Sequence, residues 1–259
     1  MNAFRVIWDT LRLQMKNSFV RPMFRFCLII NPIANTVLIY EMFRNSGQEN
    51  FGVYVILGAG LMGLWSCICF SSAGDVNRER WSGTLSMIFA SPAGFQLIIF
   101  GKILGNTLLS LLTLLLSYVT AKILYGVSIS VAYPLYTALA MGCAVVCFIV
   151  FSTLIAYLLT LSRKTQLYMN LIDIPVILLC GFVFPVDFLP RWIQPLSNAL
   201  PPTWAVRLLR LSLDLTGAVE FWHTLGTLTM VTVLYGVVSA LLYIIIDKQI
   251  RKSATLEVF

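Results

Sequence analysis

Charged side chains are scarce in this chain. Of its 259 residues 11% are Asp, Glu, Lys or Arg, whereas 59% are hydrophobic. One globular core cannot bury so much apolar side chain, so the composition indicates an integral membrane protein. Three runs contain no charged residue at all, and a fourth contains only His223 as a possible charge: 50–74, 103–121, 123–162 and 221–246. A helix that crosses the bilayer needs about 20 residues, so each run can supply one.

Histidine and paired cysteine motifs are also nearly absent. His223 has no second histidine with which to hold a metal, and the six cysteines lie in apolar runs without a CxxC spacing. We therefore predict buried thiols that act as small apolar side chains, and no metal site.

The first 25 residues are amphipathic and charged, so they lack the compact apolar segment of a cleavable signal peptide.

The net charge of +7 could indicate a nucleic-acid ligand, but its distribution favours a topology signal instead. If the N-terminus, residues 74–102, residues 162–166 and the C-terminus face the cytoplasm, 13 of the 18 Lys and Arg residues lie on that side. This asymmetry follows the positive-inside rule and suits contact with anionic membrane lipids. We predict a multi-pass protein of the plasma (inner) membrane with both termini in the cytoplasm, and no nucleic-acid partner.

The apolar runs predict an all-α fold of six transmembrane helices in one domain, residues 1–259. Strands are disfavoured because the runs are apolar on every face. Residues 1–22 are expected to form an amphipathic helix that lies in the membrane plane or packs on protein, and the two interpretations do not exclude each other. The crossings are expected at about residues 24–43, 51–75, 95–125, 133–162, 167–184 and 221–246.

Small residues in two of these crossings predict close helix packing. The second crossing contains Gly58, Gly60 and Gly63, and the third contains a GxxxG formed by Gly101 and Gly105. A GxxxG is a packing device, so it says nothing about a substrate.

A charged island separates the second and third apolar runs: Asn77-Arg-Glu-Arg-Trp-Ser-Gly-Thr-Leu-Ser-Met-Ile-Phe-Ala-Ser-Pro92. It cannot lie in hydrocarbon and must protrude into water, on the cytoplasmic side by the positive-inside rule. Residues 77–90 are compatible with a helix except at Gly83, and Pro92 ends it. A short helix held at the membrane face is suited to docking onto a partner, so we treat residues 77–92 as a docking segment.

Proline interrupts the chain at two other places. Asn31-Pro32 predicts a kink in the first crossing. Five prolines between residues 184 and 204 forbid one continuous helix there, yet the segment is too apolar for a free loop. We predict two short helices that dip into the outer leaflet, followed by an external amphipathic helix at 203–216, so that 184–216 forms one outer segment.

Asp173 is an ionisable residue within the fifth predicted crossing. Such a group is costly in hydrocarbon and should face protein or water. We expect it either to pair with Lys102 or Arg25, or to act in a substrate path or in coupling.

Together the island and the proline-rich hairpin resemble landmarks of the permease subunits of type-2 ATP-binding-cassette (ABC) transporters. The family's Glu-Arg-x-x-Gly-Thr-Leu signature reads Glu79-Arg80-Trp81-Ser82-Gly83-Thr84-Leu85 here, followed by Ala90-Ser91-Pro92. The hairpin reads Gly181-Phe-Val-Phe-Pro185, then Leu189-Pro190-Arg-Trp192 and Leu200-Pro201-Pro202-Thr203. The likeness covers nearly the whole chain.

The resemblance implies a cytoplasmic coupling helix that contacts a pair of ATPase subunits, with polar contacts from Glu79 and Arg80 and apolar ones from Leu85 and Phe89. It implies the same role for Gly83 and Thr84. It also implies an outer gate or re-entrant hairpin built from Phe184, Pro185, Leu189, Pro190, Trp192 and Pro201. The chain contains no GxxxxGK[ST] phosphate loop, so ATP and Mg would be bound by the partner subunits and no cofactor by this chain directly.

The resemblance further implies a second permease chain, in a homodimer or heterodimer, and export of a hydrophobic or amphipathic substrate such as a drug, lipid-linked molecule, glycolipid or peptide. Other classes stay open. These are a non-transporting membrane anchor or regulator of an ATPase, and a small membrane-embedded enzyme. A self-contained secondary transporter is disfavoured because related halves and several intramembrane charges are missing.

Overall fold

Helices make up the regular secondary structure of the ranges described by the computed structural model, which are residues 3–44, 51–84, 87–88, 91, 94–127, 133–160, 165–213 and 218–253. This confirms the predicted all-α class for that part of the chain. A π-helical turn (Phe26–Ile30) and a 3-10 turn (Val186–Phe188) accompany the α-helices. The α-helices are α1 (Ala3–Val20), α2 (Pro22–Arg25), α3 (Asn31–Phe43), α4 (Phe51–Trp81), α5 (Phe95–Ser110), α6 (Leu112–Tyr125), α7 (Pro134–Thr160), α8 (Thr165–Leu179), α9 (Gln194–Ala199), α10 (Pro201–Leu213) and α11 (Ala218–Ser253).

Within the described residues, five helical segments are long and apolar enough to cross a membrane: Pro22–Phe43, Tyr54–Ser71, Gln96–Tyr125, Pro134–Leu159 and Val219–Ile246. The protein is therefore a multi-pass membrane protein. The fifth predicted crossing, residues 167–184, corresponds to α8, whose apolar part Leu167–Leu179 is shorter than the others. With 15 residues α8 is about 22 Å long, less than the thickness of the hydrocarbon core.

The first span is irregular where a kink was predicted. Proline has no N–H, and its ring clashes with the carbonyl four residues earlier, so Pro32 disturbs the helix ahead of it. The structure accommodates this with the π-helical turn at Phe26–Ile30, directly before α3. The predicted disturbance is thus present, one turn before the proline.

α4 forms the centre of the bundle, and its glycines let neighbours approach. A Cβ added at Gly60 would lie 2.9 Å from the Cα of Leu114 in α6, and one at Gly58 would lie 2.6 Å from the carbonyl oxygen of Phe182. The Thr113 hydroxyl also donates to the Gly60 carbonyl at 2.9 Å. The close packing predicted from these small residues is confirmed.

The bundle has two distinguishable ends. At one end, which we call the coupling end, an apolar cluster joins the start of α5 to the ends of α7 and α11. It contains Ile99, Tyr157 and Ile246, one from each helix. At the other, the hairpin end, Tyr136 of α7 packs edge to face on Phe221 of α11 with ring centroids 5.2 Å apart. The chain therefore leaves α7 at the coupling end and enters α11 at the hairpin end.

The segment predicted to form an external amphipathic helix is α10, and its position outside the membrane stays a prediction. α10 begins near the expected position, but most of its residues are buried, among them Val206, Leu208 and Leu209. It packs against α7 and α11 through one broad face of apolar and small residues, which includes Ala205 and Ser212. Arg210 faces inward and donates to the carbonyls of Gly181 and Phe182 at 2.7 and 3.1 Å.

Candidate coupling site at the end of α4

The docking segment does not begin a new helix at Asn77, which corrects the predicted boundary. α4 runs on without a break to Trp81, because a helix that leaves the hydrocarbon can continue in water with charged residues on its surface. Its 31 residues span about 46 Å, more than the 30 Å or so of a hydrocarbon core. Met87 and Ile88 are again helical.

A glycine-dependent cap ends α4. Gly83 has φ 66°, the left-handed conformation that glycine adopts without steric cost. The N–H of Thr84 then donates to the carbonyl of Glu79 at 3.0 Å, which is the six-to-one hydrogen bond of a Schellman motif. The Glu-Arg-x-x-Gly-Thr spacing therefore has a structural meaning: glutamate and threonine stand at the two ends of that hydrogen bond.

The side chains of this corner reinforce the backbone. The Thr84 hydroxyl donates to the Glu79 carboxylate, and Lys102 of α5 donates to its other oxygen. The Glu79 and Lys102 side chains are 21% and 14% exposed. Burial acts to raise the pKa of Glu79, but the hydrogen bonds from Lys102 and Thr84 outweigh it and lower the pKa below its ordinary value. The corner is thereby fixed to α5.

A second polar cluster lies one turn deeper, around the buried carboxylate of Asp75. Arg21 and Arg78 both donate to its Oδ1, Arg78 at 2.9 Å. Gln14 of α1 and Asn106 of α5 donate to Oδ2 at 2.5 and 3.3 Å. Burial raises the pKa of Asp75, and the charges of Arg21 and Lys102 and the hydrogen bonds from Arg21 and Asn106 oppose this rise. One carboxylate therefore ties α1, α4 and α5 together.

The GxxxG of α5 completes the attachment of α1. A Cβ at Gly101 would lie 3.0 Å from the carbonyl oxygen of Ile7, and one at Gly105 would lie 3.0 Å from that of Leu11. Both glycines thus make room for the backbone of α1, so the predicted packing role is confirmed. The amphipathic helix packs on protein along the face of Leu11, while Leu13 on the opposite side of the helix is 60% exposed. Contact with protein leaves an apolar surface free for lipid.

The outer surface of the corner carries exposed apolar side chains. Trp81 is 84% exposed and Met87 is 72% exposed. Ile88 turns the other way and packs against the cluster of Ile99 and Ile103. Ile88 thus anchors this part of the corner to the bundle, and Met87 presents apolar surface outward.

The predicted coupling residues are only partly within the described structure. Glu79, Gly83 and Thr84 form the corner, whereas Arg80 is described only as part of the α4 backbone. Leu85 and Phe89 lie outside the described residues. Contact of the six predicted coupling residues with an ATPase stays a prediction. For Glu79 the structure adds a second role, since its carboxylate binds Thr84 and Lys102 within the chain.

The predicted ion pair of Asp173 is wrong. Its polar contact in the described structure is the hydroxyl of Ser66 in α4, at 3.4 Å. Lys102 contacts Glu79 instead, and the described ion pairs include none to Asp173. Arg25, the other predicted partner, is exposed and does not pair with Asp173 in the described structure.

The residues of the predicted outer gate lie in the hairpin between α8 and α10. Trp192 is 80% exposed, and Pro201 is buried at the start of α10. Hydrogen bonds within the segment stabilise it: the Thr203 hydroxyl donates to the carbonyl of Ser197 at 2.6 Å, and the Gln194 side chain donates to the carbonyl of Leu189 at 2.9 Å. Phe184, Pro185 and Leu189 are partly buried and Pro190 is exposed. A gating role for them stays a prediction.

Sequence reasoning missed the Asp75 cluster. A signal for it exists on α1, where Leu11, Gln14 and Ser18 follow a helical spacing and all three are buried. Polar residues on the packed face of an amphipathic helix need partners. Ser18 and Gln14 find theirs in Asn106, at 2.6 and 3.2 Å.

Comparison with known proteins gives the class. Residues 4–213 match the ABC-2 type transporter family, and because this range covers most of the chain, the protein belongs to that family. Among curated proteins the chain is similar to "Probable multidrug ABC transporter permease YbhR" of Escherichia coli strain K12 and to the protein of the same name in strain O157:H7, with 27% identity over 172 residues in each case. The match covers 62% of this chain and 44% of each relative, so the chain spans less than half of their length. No solved structure gives a significant match.

Proposed function

We propose that this chain is the permease subunit of an ATP-driven exporter, coupled to separate ATPase subunits through the corner at the end of α4. The observation that carries the proposal is the exposure of Trp81 and Met87 on a corner held by the Gly83 cap and the Glu79–Lys102 ion pair. Exposed apolar side chains on a rigid, charged protrusion suit an interface with protein. Membership of the ABC-2 family supports the same function.

The positions of the helix ends support six crossings with both termini on one side. The chain leaves α7 at the coupling end and enters α11 at the hairpin end, so the segment containing α8 has to cross between them. Met169 in α8 faces Arg21 at the coupling end, and Cys180 just after α8 lines a cavity with Arg210. The short α8 and the turn after it therefore act as the fifth crossing. The positive-inside rule places the coupling end, with α1 and the end of α11, in the cytoplasm of a cell whose plasma (inner) membrane holds the protein.

The proposed assembly has two permease chains above two ATPase subunits. ATP and Mg belong to those subunits, and their closure on ATP would push on the corner of residues 79–88. The push would reach α5 through Lys102 and α1 through Asp75, so that the three helices move as one body. Exposed apolar residues on α3 and α8, such as Leu38 and Ile174, are available to the second permease chain, as a homodimer or heterodimer, and to lipid.

The proposed substrate is a hydrophobic or amphipathic molecule, such as a drug, lipid-linked molecule, glycolipid or peptide. The name of the Escherichia coli relatives, a probable multidrug permease, favours this class. The exposed apolar side chains of the first and fifth crossings suit such a cargo.

The proposal is tested by exchanging one exposed tryptophan. Trp81→Asp should lower the amount of ATPase that co-purifies with the chain by about tenfold or more, since it places a charge in the apolar interface. Trp192→Asp is the matched control, because Trp192 is similarly exposed but lies at the hairpin end. Equal recovery of the ATPase with both variants, together with undiminished ATP-driven transport, would reject the coupling site. ATPase recovery by a chain that moves no cargo in proteoliposomes would instead favour a membrane anchor.

A further inference from the structure

A cavity of about 270 Å³ opens at the coupling end between the π-helical turn, α4 and α8. Arg21 and Arg78 line one part of it. Apolar and small residues line the rest, among them Phe24, Cys67 and Met169. The cavity thus combines a cationic part with an apolar part, which is the chemistry that an amphipathic anion requires.

The cationic part carries surplus positive charge. Arg21 and Arg78 share one carboxylate, Asp75, and in the described structure each guanidinium donates one hydrogen bond to it. Two positive charges against one negative charge leave a surplus of one. Each guanidinium has five N–H donors, so donors also remain for an oxyanion, for which arginine is well suited. The Arg78 side chain is 45% exposed, so a ligand can reach it.

The charges also fix the orientation of such a ligand. The arginines supply hydrogen-bond donors at one part of the cavity wall, whereas Phe24 and Met169 supply none at the other. An anion placed against the apolar part would lose its hydrogen bonds to water without replacement. The acidic group must therefore sit at Arg21 and Arg78, with carbon atoms extending along Phe24 and Met169. The volume is near the lower limit of ligand pockets, about 300 Å³, so the rest of a long chain would stay in the bilayer.

We propose that this cavity binds the oxyanion headgroup and the first carbons of an anionic amphiphile taken from the adjacent membrane leaflet. The ligand is a phosphate-bearing lipid or an acidic amphipathic cargo. The proposal rests on the proposed function only in assigning the cavity to the cytoplasmic leaflet. Binding itself requires no ATPase and is measured on the purified chain alone, so failure of ATPase docking leaves it untouched.

The first test removes the exposed arginine. Native mass spectrometry of the delipidated chain in detergent, titrated with dioctanoyl phosphatidylglycerol, should show binding about tenfold tighter than that of dioctanoyl phosphatidylcholine. Arg78→Gln should lose most of this preference while keeping the Arg21–Asp75 pair. Arg12→Gln removes the same charge from an exposed position on α1 and should bind like the wild type, which controls for net charge.

The second test blocks the cavity without changing any charge. Gly74 lines the cavity, and a Cβ added there meets no atom within 4 Å, so a larger side chain can enter the empty space. Gly74→Leu also replaces a helical glycine by a better helix former, so the variant should fold. It should weaken phosphatidylglycerol binding about tenfold or more.

The results separate the two sources of the ligand. In proteoliposomes that contain the ATPase, ATP-dependent transfer of a fluorescent acidic lipid between leaflets identifies the ligand as a cargo. Binding without transfer identifies it as a resident lipid. Either result supports the binding site. Equal binding of the two lipids, or wild-type binding by both Arg78→Gln and Gly74→Leu, overturns the proposal.

Discussion

The N–H of Thr84 donates to the carbonyl of Glu79, and the hydroxyl of Thr84 donates to the carboxylate of the same residue. This double connection closes the end of α4 around Gly83. It explains why a glutamate, a glycine and a threonine occur together at this spacing, since the first and last make the contacts and the glycine permits the turn. The exposed residues Trp81 and Met87 are carried on this closed corner.

Gly83→Ala should open the corner. A side chain at φ 66° costs about 1 to 2 kcal/mol, although the space around Gly83 is empty. We expect a corresponding loss in thermal stability of the segment after Trp81 and weaker coupling of ATP hydrolysis to transport. Gly226→Ala is the control, because Gly226 lies within α11, also has empty space around it and has no positive φ. Hydrogen exchange of residues 79–88 measures the effect, and unchanged exchange in Gly83→Ala would argue against the cap.

Glu79 and Lys102 should show coupling in a double-mutant cycle. Glu79→Gln removes the negative charge, and Lys102→Met removes the donor, of a partly buried, charge-assisted hydrogen bond. We expect a coupling energy of about 1 to 2 kcal/mol in the free energy of unfolding. Additive effects of the two substitutions would show that the pair contributes nothing.

The same pair predicts a pH dependence. The pKa of Glu79 is lowered in the folded state, so its contribution to stability is present above the ordinary glutamate pKa of 4.5 and is lost as the pH falls through the folded value. The difference in stability between wild type and Glu79→Gln should therefore be constant near neutral pH and shrink under acid conditions. A difference that grows as the pH falls would contradict the assignment.

Asp75→Ala should be among the most destabilising polar substitutions in the chain. It leaves Arg21 without its described counter-ion and removes the acceptor of four donors, at a cost of about 3 kcal/mol or more. Asp9→Ala is the control, because its ion pair with Arg5 is long, at 3.9 Å, and largely exposed. The control should change the free energy of unfolding by less than about 0.5 kcal/mol. Similar effects of both substitutions would rule out a tie between helices at Asp75.

Gly105→Leu should detach α1 from α5. The added side chain would collide with the backbone of α1 at Leu11, so the helix should be cleaved faster by protease in detergent. Gly142→Leu on α7 makes the same exchange where no atom lies within 4 Å. Equal cleavage of α1 in both variants would show that the GxxxG does not hold it.

Several features of the fold could be predicted because they depend on local sequence. The GxxxG contact and the disturbance before Pro32 follow from the absence or shape of one side chain, whereas the predicted helix over residues 77–90 is interrupted at Gly83. The burial of α10 and the partner of Asp173 depend on which helices meet in space, and local periodicity does not contain that information. The cluster around Asp75 was missed for the same reason, since its donors come from positions as far apart as Gln14 and Asn106. The extension of α4 to Trp81 was missed because a change from apolar to charged residues marks the membrane surface and not the end of a helix.

The central claim is that the corner at the end of α4 touches an ATPase, and site-directed crosslinking tests it most directly. A cysteine at Met87, 72% exposed, should crosslink to the ATPase subunit in intact membranes through a short bifunctional reagent. A cysteine at Val219, 84% exposed at the hairpin end, should not. Crosslinking from Met87→Cys alone is the predicted result. Labelling of Met87→Cys by an impermeant reagent added outside intact cells, with no crosslink to an ATPase, would contradict the account.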